Sequence, residues 1–144
     1  MKEIRTEIEI RSTQERIWRI LTDFARYPDW NPFIHHAIGT PKLGEKVDIT
    51  FRSGPSEMTL HCTVIKAKPN QELCWQYHVI FPFLWKGVHS FTINPIGANR
   101  VRFIDKEIFS GLLIPLQGKD SDTTTRRDFE NMDKALKERA EHKK

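Results

Sequence analysis

The sequence predicts an α+β domain, a curved seven-stranded antiparallel sheet wrapped around a long C-terminal helix, with a short helical segment after the first strand. Three observations predict it. From Phe33 to Phe109 the chain is a run of short segments in which apolar and polar residues alternate, separated by turn residues. The last quarter carries one apolar stripe at helical spacing: Phe129, Met132, Leu136 and Ala140. Between the first strand and the β block lies a single amphipathic segment closed by two prolines. The order strand, helix, six strands, long helix is an α+β arrangement, and 144 residues suit one domain spanning 1–144.

The elements follow in order. Ile4, Thr6, Ile8 and Ile10 alternate with charged residues, the period of a half-buried strand. Ser12 and Glu15 have the spacing of a capping box, which opens a helix from about Thr13 to Phe24 that buries Ile17, Ile20, Leu21 and Phe24. Pro28 and Pro32 interrupt the chain and place Trp30 and Phe33 on a short irregular or helical piece. Strands are expected at Phe33–Ile38, around Val47–Arg52, and at Met58–Ala67, Leu73–Ile80, Trp85–Ile93 and Arg100–Phe109, all seven strands in a meander. After Gly111 the apolar LLIPL stretch, broken by Pro115, reads as a loop or lid. The final helix is expected from Asp120–Thr123 to Glu141.

The composition narrows the function classes. No apolar run is long enough for a membrane span, and MKEIRTEIEI lacks the apolar core of a secretory signal, so integral membrane association is not expected and a cytoplasmic location is. The formal charge of +4 comes from Lys and Arg interleaved with Glu and Asp, a pattern of solvated faces and not of a phosphate-tracking stripe. Nucleic acid is therefore not the expected partner. Cys62 and Cys74 fall on opposite faces of adjacent strands by alternation, so two free thiols are expected. No HxH, CxxC, HExxH, glycine-rich phosphate loop or GxSxG elbow occurs, and neither metal nor cofactor is expected. His35 and His36, as strand neighbours, are expected on opposite faces, with His61 and His78 outward.

One long helix cannot fill the hollow of a curved sheet unless the inward side chains are large. The expected inward set is large: Phe51, Met58, Trp75, Tyr77, Trp85, Phe91 and Phe103, with Trp30, Phe33, Phe129 and Met132 joining from the loops and the helix. Gly87 shares the inward parity and thins the sheet where a partner can approach. Polar residues on this face are more informative, because buried polar groups are costly unless paired. His89 is inward with Phe91, while Asp105 and Glu107 are inward with Phe103, and the hairpin between the two strands sets His89 roughly opposite the carboxylates. One histidine and two carboxylates then converge among aromatics, either as a satisfied structural pair or as a polar floor for a ligand.

These residues resemble a known group. The stretch STQERIWRILTDFARYPDWNPFI, residues 12–34, is similar to the opening of the START-like SRPBCC superfamily, in particular its polyketide cyclase/dehydrase-type branch, with Trp18, Leu21, Asp23, Tyr27, Trp30, Asn31 and Pro32 carrying the signature. Gly39 and Gly44, Pro69 before Leu73 and Trp75, Gly87-x-His89-x-Phe91, Glu107-x-Phe109-x-Gly111 and the helix with Phe129 and Leu136 extend the resemblance over nearly the whole chain. It implies a helix-grip fold with a deep apolar cavity. Relatives of this kind include lipid and sterol carriers, plant hormone receptors, aromatic polyketide cyclases and chaperone-ATPase activators, among which fold does not choose.

Three functions follow as expectations. The leading one is binding or carriage of a small hydrophobic molecule (a lipid, a sterol-like or an aromatic/polyketide compound), gated by the LLIPL and Pro28–Phe33 segments. The alternative is a cyclase/dehydrase-type enzyme in which His89 and Glu107, with Asp105 or Tyr77, handle protons on a carbonyl substrate. The third is an interaction module built on the FPFLW hairpin tip around Phe81, Phe83 and Trp85. A monomer or weak homodimer is expected in each case.

Overall fold

A computed structural model of the chain describes residues 1–112 and 119–142. Strand β1 (Lys2–Ile10) leads into helix α1 (Gln14–Thr22), a 3-10 turn (Phe24–Arg26) and the four-residue helix α2 (Tyr27–Trp30). Strands β2 (Ile34–Gly39), β3 (Lys46–Ser53), β4 (Ser56–Lys68), β5 (Glu72–His78), β6 (Lys86–Gly97) and β7 (Arg100–Ser110) follow, and then helix α3 (Lys119–Glu141). All seven strands form one antiparallel sheet in the order β1-β7-β6-β5-β4-β3-β2. The meander expected of all seven strands holds only for β2 to β7. Strand β1 pairs with β7 instead, Lys2 opposite Phe109 and Ile10 opposite Val101, because the helical connection carries the chain across to the far edge where a short hairpin would have kept β1 and β2 together.

Register slips at Ile34/His36, Val64/Lys66 and Pro95/Gly97 are β-bulges, which bend and twist the strands that carry them. The first of these also overturns the expected separation of His35 and His36. The bulge breaks simple alternation, and the two rings meet edge to face with centroids 4.5 Å apart.

Helix α3 lies against β1, β3 and β7 and buries the stripe Phe129, Met132, Leu136 and Ala140. Each fully buried large side chain of that stripe contributes roughly 1.5–3 kcal/mol. Its ends are fixed by specific bonds. The Arg16 guanidinium of α1 donates to the carbonyls of Ala140 at 2.7 Å and Arg139 at 3.2 Å, and the backbone N–H of Arg11 donates to Glu141 at 2.8 Å. At the other end the Lys2 ammonium meets Asp122 at 2.8 Å.

Two local devices differ from expectation. The cap of α1 is Thr13, whose hydroxyl accepts from the N–H of Arg16 at 3.2 Å, so the Ser12–Glu15 capping box does not form. The Ser12 backbone is already engaged in a turn with the carbonyl of Ile10, one residue too early to cap the helix. The helix also stops at Thr22, with Phe24 in the 3-10 turn, and β2 begins at Ile34, leaving Phe33 in the preceding loop. That loop is held by Asn31, whose Oδ1 accepts the N–H groups of Phe33 at 3.0 Å and Ile34 at 2.8 Å. Cys62 opposes Val47 and Cys74 opposes Ser90, and both thiols are free, as alternation predicts.

Candidate functional site

Helix α3 covers only part of the sheet face. Towards the ends of β5 and β7 and the start of β6 the two separate, leaving a cavity of about 620 Å³. Among the described residues its apolar wall comes from Ile49 and Phe51 on β3, Met58 and Leu60 on β4, Trp75 on β5, Phe109 on β7, and Phe33 and Ile34 where the chain enters β2. Val79 and Trp85, just outside the β5 and β6 ends, complete it. Ser53, Thr124, Thr125 and Asp128 add polar groups near the helix, where the Ser53 hydroxyl donates to Asp128 at 2.7 Å.

The buried base of the cavity carries Tyr77, His89 and Glu107. His89 and Glu107 are direct cross-strand partners, as are Tyr77 and Gly87. The Tyr77 ring lies over Gly87, crossing strand β6 so that its hydroxyl donates to Glu107 at 2.5 Å. Gly87 therefore makes room for an intramolecular ring, not for the approach of a partner that its parity first suggests. The polar chain continues inward. His89 Nδ1 is 3.5 Å from Glu107, its Nε2 is 2.7 Å from Asp105, Asp105 neighbours Asp133 of α3, and Thr6 of β1 donates to Asp133 at 2.5 Å.

Charge decides the direction of this chain. Burial raises the Asp105 carboxyl to about 8 and the Asp133 carboxyl to about 9, the latter reinforced by repulsion from Asp105. Burial lowers His89 below its ordinary value, against the pull of Glu107 and Asp133. At pH 7 the interior thus holds two neutral carboxyls and a neutral imidazole. A proton shared between Asp105 and Asp133 also satisfies the two oxygens, Asp105 Oδ2 and Asp133 Oδ1, that have no other partner. Asp105 then donates to His89 Nε2, and the remaining His89 N–H lies on Nδ1, 3.5 Å from Glu107. The donors run in one direction, from Thr6 through Asp133 and Asp105 to His89, and Tyr77 donates to Glu107 from the other side.

Of the residues assigned to the cavity from sequence, Phe33, Phe51, Met58, Trp75, Tyr77, Trp85, His89 and Glu107 line it. Trp30, Phe91, Phe103, Asp105, Phe129 and Met132 do not. Trp30 instead packs edge-on against Tyr27 at 5.3 Å. Phe91 stacks on Phe103 at 5.8 Å, and Phe129 of α3 lies 5.0 Å from His89. Parity identifies the face of a strand but not which part of that face the helix covers. Asp133 was missed, although it stands four residues after Phe129 and three before Leu136, on the stripe itself; a lone acid at the centre of an apolar stripe was the available signal. Most of the LLIPL segment, residues 113–116, lies outside the described residues. At the FPFLW tip, Phe81 and Phe83 are exposed and stacked on each other at 5.5 Å, while Trp85 turns inward against Phe109. Among the described residues no three or more His, Cys, Asp or Glu side chains are grouped to hold a metal ion, and no helix is long and apolar enough to cross a membrane.

A family model described as polyketide cyclase / dehydrase and lipid transport matches residues 1–141. The chain belongs to this family. No curated protein sequence matches it. Solved structures show that this family member has the helix-grip fold. A START superfamily protein from Mycobacterium smegmatis superposes with a TM-score of 0.77 at 19% identity, covering 96% of this chain and 97% of that one. The Zhui aromatase/cyclase from a Streptomyces species gives 0.78 at 13% identity, covering 97% and 93%. The Aha1 dimer from Colwellia psychrerythraea gives 0.75 at 22%, covering 100% and 99%. At these identities the likeness is one of fold, and the family description supports a ligand-binding or cyclase role without naming a ligand.

Proposed function

We propose that the protein binds a small apolar molecule in the cavity between the sheet and α3, with Glu107, Tyr77 and His89 orienting its polar end. One observation carries this: a cavity of about 620 Å³ whose walls are apolar except for a buried polar cluster and a few groups near the helix. That volume lies within the range of about 300–1,000 Å³ in which small-molecule sites fall. Burying roughly 200 Å² of apolar ligand surface contributes on the order of 5 kcal/mol before ordering costs. The test is native mass spectrometry of the purified protein, followed by titration with apolar probes and readout of the wall residues Trp75 and Trp85 by fluorescence. A co-purifying or titratable apolar ligand is expected, and Leu60→Trp, which pushes a bulkier side chain into the cavity, should weaken it at least about tenfold. An unliganded protein that takes up no apolar probe removes the proposal.

The polar chain supports a second reading, a cyclase/dehydrase-type enzyme. Glu107 would take a proton from carbon next to a carbonyl, Tyr77 would donate to the enolate oxygen, and His89 with the acids behind it would supply the proton back. The discriminating measurement is deuterium exchange into a 1,3-diketone followed by NMR in heavy water. Protein-catalysed exchange that disappears in Glu107→Gln supports enzyme chemistry, and exchange no faster than buffer excludes it.

A further inference from the structure

The charges around the cavity select among apolar ligands by their polar end. Among the described residues lining it there is no lysine or arginine, while Glu107 and Asp128 both face it. At the buried base Tyr77 donates to Glu107 and the His89 N–H faces Glu107 across 3.5 Å, while near the helix Ser53 donates to Asp128 and Thr124 and Thr125 add hydroxyls. His89 offers no compensating positive charge, since burial keeps it neutral. What the buried base offers a ligand is chiefly acceptor capacity, on the Glu107 oxygen whose nearest partner is the 3.5 Å contact to His89, too long for a strong hydrogen bond.

We infer that the cavity takes an apolar molecule whose polar end donates hydrogen bonds, an alcohol, phenol or amine, and rejects molecules that end in a carboxylate, sulfate or phosphate. This rests on the ligand-binding reading above and narrows it. An acid placed about 4 Å from Glu107, with no cation to offset it, is disfavoured by roughly a hundredfold or more at an effective dielectric of about 20. A hydroxyl that donates to Glu107 gains the stronger kind of hydrogen bond, one to a charged acceptor, worth about tenfold or more in affinity. A neutral acceptor-only head, such as an ester, gains neither the bond nor the repulsion.

The experiment uses three probes with one apolar chain, 1-decanol, methyl decanoate and decanoate, titrated at pH 7 against the fluorescence of Trp75 and Trp85, with decylamine as a second donor. Decanol and decylamine are expected to bind tightest, the ester about tenfold more weakly, and decanoate weakest. In Glu107→Gln the charge is gone and the side chain is isosteric, so decanoate should gain at least about tenfold while decanol loses affinity. Tyr77→Phe, which frees Glu107 of its internal donor, should instead widen the preference for decanol. Decanoate binding as tightly as decanol, together with the ester, overturns the selectivity and leaves the apolar-cavity reading standing. Failure of all the probes to bind removes both.

Discussion

At Gly87 a hydrogen stands where any other residue would place carbon, and a Cβ built there lies 2.3 Å from Cζ of Tyr77. The ring has to span strand β6 to reach Glu107 on β7, so moving it away from residue 87 breaks that bond. Gly87→Ala is therefore expected to push Tyr77 off Glu107 and to cost about 1–3 kcal/mol of stability. The cost should fall to within about 0.5 kcal/mol in a Tyr77→Ala background, and urea melts of the four proteins give the coupling directly. Equal costs in both backgrounds would show that the two residues do not meet as described. Glu107 itself was legible in the sequence because it sits on a strand that alternates cleanly. Asp133 was not singled out, because a helical stripe is identified by its apolar members and tolerates a polar one without disturbing the pattern.

The entry to α1 shows how an element can be placed correctly and still be closed by the wrong residue. Ser12 and Thr13 are both good N-cap types, and only the second has its hydroxyl within reach of the third N–H, at 3.2 Å. Thr13→Ala is expected to cost about 1 kcal/mol in chemical denaturation, whereas Ser12→Ala should be neutral or slightly stabilising, because its buried hydroxyl has no partner to lose. The reverse ranking would restore the capping box. The other elements were largely legible, since alternation in β3 to β7 and the stripe of α3 are strong local patterns. Two things were not. The pairing of β1 with β7 depends on where a helical connection delivers the chain, and the extent of the cavity depends on how far α3 reaches along the sheet. Neither is a property of any single segment.

For the whole molecule the buried acids set a pH dependence. Asp105 and Asp133 bind their protons more tightly in the folded protein, at about 8 and 9, than in the unfolded chain, near the ordinary carboxyl value of about 3.9. Over that interval the folded state holds more protons, so these two groups lose stability as pH rises, by up to about 1.4 kcal/mol per pH unit for each carboxyl. His89, held neutral, acts in the opposite sense below about pH 6.5, and the thiols of Cys62 and Cys74, raised by burial, add to the fall only above about 8.5. Denaturation between pH 6.5 and 8 isolates the acids: the protein should weaken across that range. Asp133→Asn, whose amide can replace the shared proton, should flatten the slope and exceed the parent in stability at the upper end. An unchanged slope in that variant would mean the proton is not held there. The same contact has a consequence in time. Thr6 and Asp133 lie 127 residues apart in sequence, and among the described residues β1 finds its only strand neighbour in β7. A nascent chain that has already paired β2 through β6 still has its first ten residues dangling, without a ladder or a helix to receive them. Such long-range closure is slow compared with local folding, and β1 is thereby the latch of the molecule, made before the other strands and among the last to be fastened.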